Sequence, residues 1–211
     1  MNWTRLFADC MIDLLENNVS VYLSKDEFIQ MNEEGDVCRG LWDDGEKKNL
    51  KLYCATAGDE KIWVPIFVHE YCHFLQWKDR CPEWKGAQKY TEEDDRKILR
   101  NEKMHPVRLR NSIKRIRDLE EDCEKRTVQV LKKYGANKAF IEGYIQRANT
   151  YLYFYTYLKF YREWYPKDKV VTKMKQITRV APKTFQKSYD VIPSKMLKEY
   201  MKVYPPKVEI K

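Results

Sequence analysis

An α+β fold, with one small sheet and a helix-rich C-terminal half, is what this 211-residue sequence predicts. Three observations lead there. Short β-prone runs, at residues 19–23 and 49–56, lie in the first third of the chain. Long stretches with apolar residues three and four apart, the helical period, fill most of the second half. Between the two lies a run, residues 66–75, that is uncharged apart from Glu70, in a chain that is 34% Asp, Glu, Lys and Arg. A helix that is apolar all round belongs at the centre of a domain.

Taken in order, residues 3–17 space Trp3, Leu6, Phe7, Cys10, Met11, Leu14 and Leu15 as an amphipathic helix. Residues 19–23 are a short strand. Residues 26–45 are acidic and turn-rich, with Trp42 as an anchor. In residues 49–56, Leu50, Leu52 and Cys54 alternate onto one side, which predicts a strand. Gly58-Asp59-Glu60 turns into the helix of this run, with Pro65 expected in its first turn and an end near residues 77–80, ahead of Pro82. Residues 81–112 read as polar loops punctuated by Pro82, Gly86 and Pro106, with a short helix at 92–101. Two long helices follow, at 112–134 and 137–165, separated by Gly135 as a C-cap. The second carries Tyr144, Tyr151, Tyr153, Phe154, Tyr155, Tyr157, Phe160, Tyr161 and Trp164, an aromatic stripe read as core. From Pro166 onward the chain is basic and proline-broken, with one helix at 194–203. Residues 1–165 therefore read as one domain and 166–211 as a basic appendage.

The net charge of +8 is uneven: residues 1–60 hold 6 basic and 13 acidic side chains, and residues 165–211 hold 12 and 4. Such a tail suits nucleic acid or an acidic partner, but a solvated surface is the favoured reading. No apolar run is long enough to span a bilayer and the first residues lack a signal-peptide pattern, so no membrane partner and a cytoplasmic location are expected. The six cysteines, none spaced C-x-x-C, are expected to be reduced and mostly buried.

The chemistry concentrates in His69-Glu70-Tyr71-Cys72-His73, which uses two of the chain's three histidines. On a helix, residues four apart share a face, so both imidazoles can reach one metal ion. Glu70 sits beside that face, within reach of a water that the metal activates. H-E-x-x-H is the pattern of a zinc hydrolase: two histidine ligands and a carboxylate base. The flanking apolar run strengthens the reading, because burying two imidazoles and a carboxylate calls for a compensating cation.

Catalytic zinc takes three protein ligands and keeps one position open. Asp79 and His105 are candidates for the third, but no glycine turns the chain back before Asp79, and His105 reads as a surface residue beside Pro106. The segment Leu119-Glu120-Glu121-Asp122-Cys123-Glu124 offers more. Its helix has an apolar face through Ile113, Ile116, Leu119, Cys123, Thr127, Val130 and Leu131, and the helical phase puts Glu120 inside that face, Glu124 at its margin, and Glu121 and Asp122 outside. Glu120 is the predicted third ligand, with Glu124 placed to hydrogen-bond a ligand. The competing reading pairs Glu120 with a Lys or Arg at the edge of the stripe.

With these residues in place, the chain resembles the gluzincin branch of the zincin metallopeptidases. Glu120-x-x-Cys123-Glu124 is similar to the E-x-x-A-[ND] segment that follows H-E-x-x-H in compact ImmA/IrrE-type metallopeptidases, with Glu at position 124 in place of Asn or Asp. It also resembles uncharacterised metallopeptidase-like proteins of tailed phages, which carry related H-E-Y-C-H and D-C-E-K-R strings; a viral protein would act in the host cytoplasm. The resemblance covers residues 49–131 and implies a zincin-like domain over residues 1–165 that hydrolyses peptide bonds with zinc, held by His69, His73 and Glu120. Glu70 would be the general base and a peptide or protein the substrate. The strand at 49–56 would be an edge that takes an extended peptide. The alternative is a nucleic-acid- or partner-binding protein with a structural metal, or a hydrolase of a non-peptide substrate.

Overall fold

The computed structural model describes residues 1–30, 37–45, 49–166 and 169–207. It is a mixed α+β structure, mostly helical, with a small sheet near the N-terminus. By its contacts the chain forms two compact units: residues 1–81 with 123–141, and residues 82–122 with 142–211.

The first unit opens with α1 (Trp3–Glu16), whose N-cap Asn2 accepts a hydrogen bond from Arg5 N at 3.0 Å. Its strands are β1 (Ser20–Ser24), β2 (Ile29–Gln30), β3 (Val37–Cys38), β4 (Gly40–Asp43) and β5 (Lys51–Ala55). β5 lies in the middle of a three-stranded sheet, parallel to β1 and antiparallel to β4. The expectation that residues 49–56 form an edge is thus corrected. Alternation accounts for this: Leu52 and Cys54, both fully buried, face the helices, while the backbone of β5 is hydrogen-bonded on both sides. The segment read as acidic turns supplies β4, whose Trp42 packs edge-on against Phe74.

Helix α2 (Glu60–Asp79) crosses β4 and β5 and packs on α1. Asp59 caps it, accepting from Lys61 N at 2.8 Å, and Arg80 ends it in the left-handed conformation. Pro65 falls in its second turn, not its first, because the cap lies at Asp59. Val64, Phe67, Val68, Cys72 and Phe74 are nearly inaccessible, so the middle of the helix is buried while its charged ends, at Glu60, Lys61, Lys78 and Asp79, are exposed.

The second unit is helical: α3 (Pro82–Ala87), α4 (Glu92–Leu99), the first part of α5 (Pro106–Lys133), most of α6 (Lys138–Tyr161), α7 (Lys175–Val180) and α8 (Ser194–Val203). Pro82 and Pro106, read in sequence as loop punctuation, are the first residues of helices, where a missing N–H costs nothing. Thr91 and Asp94 form a reciprocal capping box on α4. The aromatic stripe of α6 is core: Leu152, Phe154 and Tyr157 are fully buried. Residues after 166, set apart by composition, supply Val171, Ile177, Tyr189, Met196, Tyr200 and Tyr204 to the same core. Their hydroxyls are tied in as well, with Tyr200 donating to Thr150 O and Tyr204 to Lys169 O. No helix among the described residues is long and apolar enough to cross a membrane.

Candidate metal centre

Helix α2 places His69 and His73 one turn apart, rings nearly perpendicular at 88° and centroids 4.7 Å apart. Their Nε2 atoms face each other at 3.1 Å. Zinc–imidazole bonds of about 2.0–2.1 Å at a tetrahedral angle separate two ligand nitrogens by about 3.3 Å, so the pair has the spacing that one ion demands. The outer nitrogens point into protein. His73 Nδ1 lies 2.8 Å from Gln76 Oε1, and His69 Nδ1 lies 3.5 Å from Glu124 Oε1.

Cys123, with Glu124 on the part of α5 that belongs to the first unit, is fully buried beside His69. Its thiol donates to His69 O at 3.1 Å and lies 3.6 Å from Nδ1. Potential ligand atoms of His69, His73 and Cys123 all fall within 4.8 Å of one another. The short approach of the thiol is to the Nδ1 side of His69, whereas the imidazoles meet through Nε2. Cys72 is also fully buried, and burial pushes its thiol well above the ordinary range.

Glu70 is 7% exposed and lies against β4. A Cβ on Gly40 would come within 2.5 Å of Glu70 Oε1 and 2.7 Å of its Cγ, so this strand position must be glycine if the carboxylate is to lie there. The thiols of Cys38 and Cys54 are both pushed up to about 12, first by burial and next by the charge of Glu70. Glu70 thus sits in a largely dry corner between strand and helix.

Of the other candidates, Asp79 is exposed and paired with Arg126 at 2.8 Å, and His105 is exposed at the start of α5, accepting from Val107 N. Glu120 belongs to the second unit and is half-buried. There its charge helps burial to raise the phenols of Tyr151 and Tyr155, whose hydroxyls are 2.8 Å apart. Glu124, expected at the margin of the apolar stripe, is the more buried of the two carboxylates, at 7%.

Two residues of this centre escape a reading of the sequence. Gly40 looks like one more turn glycine in an acidic segment, because its role depends on a side chain 30 positions away. Gln76 does carry a signal: it is three residues past His73 and seven past His69, and so on their face of the helix. No protein-family model, curated protein or solved structure matches the chain.

Proposed function

We propose that this protein is a zinc-dependent metallopeptidase of the zincin type, in which His69, His73 and Glu120 hold the metal and Glu70 is the general base. The observation that carries the reading is the 3.1 Å approach of the two Nε2 atoms, each imidazole held from behind by an oxygen acceptor. Glu120 enters from the helical phase of the sequence. When bound, zinc would polarise a scissile carbonyl and lower the pKa of water to about 7.

The remaining roles belong to the chain. Glu70, one residue beyond His69, accepts the proton of the attacking water at its carboxylate and returns it to the leaving amine. Gly40 keeps room for that carboxylate against β4. β4 is an outer strand of the three-stranded sheet, and an extended peptide added along it would run past Glu70. Peptides are therefore the favoured substrates.

The test is metal analysis with variants. The purified protein should carry about one zinc per chain, lost in His69→Ala and His73→Ala. Glu70→Gln should keep zinc and fold while cleavage of a peptide library, read by mass spectrometry, drops by about 10²- to 10⁴-fold. Glu120→Ala should lose the metal, whereas Glu124→Ala should weaken it about 10- to 100-fold. Zinc content unchanged in both histidine variants would overturn the reading.

A further inference from the structure

Gln76 has no exposed surface, lies one helical turn beyond His73, and has its side-chain oxygen 2.8 Å from His73 Nδ1. A carbonyl oxygen only accepts, so the shared proton belongs to Nδ1, and a neutral imidazole protonated there carries its lone pair on Nε2. Glu124 Oε1, 3.5 Å from His69 Nδ1, favours a proton on that nitrogen too. With both rings protonated at Nδ1, two lone pairs face one another across the 3.1 Å between the Nε2 atoms. With no cation between them they repel; a divalent cation converts the repulsion into two bonds. The reverse amide orientation would make a different site. An amide NH₂ donating to Nδ1 would leave the proton on Nε2, and the contact would become a histidine–histidine hydrogen bond closed to metal.

We propose that Gln76 is a positioning residue: its side-chain oxygen sets the tautomer of His73 and presents Nε2 ready to bind, an inference that rests on the reading of the histidine pair as a metal centre. The choice of an amide has a physical reason. Glu70 and Glu124, on the same helix and beside His69 respectively, are already two carboxylates at 7% exposure, and a neutral acceptor orients the ring without a third buried negative charge.

The experiment has two arms on the full-length protein. In the first, long-range ¹H–¹⁵N correlation on metal-free wild type, above about pH 8 where free imidazole is neutral, reads the tautomer of His73 directly. Protonated Nδ1 is expected; protonated Nε2 overturns the proposal. In the second, zinc affinity is measured by competition with a chromophoric chelator. Gln76→Leu, of similar size, should bind zinc about 10- to 100-fold more weakly, and Gln76→Glu, which keeps an acceptor, should recover wild-type affinity or exceed it. Equal affinity in Gln76→Leu and wild type overturns the proposal. Should Gln76→Leu not fold, the wild-type tautomer and the Gln76→Glu affinity decide. Wild-type protein that has Nδ1–H on His73 yet binds no zinc would sink the metal reading alone and leave the control of the tautomer standing.

Discussion

Arg117 is a guanidinium at 4% exposure, donating to Thr156 Oγ1 at 2.9 Å and to Asp190 at 2.7 Å. The hydrogen bond from Arg117 holds the Asp190 carboxyl below the usual carboxylate range. A carboxyl depressed in the folded state adds stability above its unfolded pKa of about 3.9 and loses it as pH falls through the folded value. Because Asp190 is 63% exposed, its replacement by Asn should cost less than about 1 kcal/mol at neutral pH. Urea unfolding at pH 7 and near pH 3 checks this: the difference between wild type and variant should shrink on acidification, and a constant difference would refute it. At this scale the chemistry of the candidate centre was readable only where it had to be local. His69, Glu70 and His73 announce themselves because helical geometry ties their roles to a four-residue spacing. Glu124 follows from helical phase only as a margin residue, since what draws it inward is His69, 55 positions earlier.

Among the elements, the end of α6 shows how a single side chain can organise a junction. Arg162 terminates the helix in the left-handed conformation, with φ at 59°. It sends Nε to Ile98 O and Nη2 to Lys97 O and Glu102 O, at 3.1, 2.9 and 2.7 Å, closing the C-terminal end of α4. Arg162→Met would remove three hydrogen bonds to backbone carbonyls, of which Lys97 O keeps its bond from Glu102 N, and a loss of about 2 kcal/mol is expected in equilibrium urea unfolding. Arg162→Lys, a point charge without a planar fork, should recover less than half of that; full recovery would show that charge alone is needed. Helix α1 was legible in sequence because its apolar spacing is regular, and α2 because its middle is apolar all round. α3 was missed, and α5 was started six residues late, because a proline at a first helical position resembles a proline in a loop. β4 was hidden by acidic neighbours and by a length of four residues.

For the whole molecule, composition misleads about residues 166–211. Their described lysines are on the surface and dominate any charge count, while a few widely spaced tyrosines do the packing. Tyr189, Tyr200 and Tyr204 are at most 1% exposed, and Tyr157 donates to Tyr204 O at 2.7 Å. A chain ending at residue 165 should therefore lose cooperative unfolding of the second unit, with a smaller dependence on urea than the full chain; an unchanged slope would restore the view of the tail as an appendage. The division of the first unit into two stretches of sequence has a consequence for its birth. Asp9 receives a hydrogen bond from Tyr134, 125 residues later, and His69 meets Cys123 across 54. Contacts at such separations form slowly. A ribosome releasing this chain exposes the two histidines well before it has made the carboxylate that steadies His69, so the nascent centre passes through a stage in which His73 already has Gln76 beside it and His69 is not yet held.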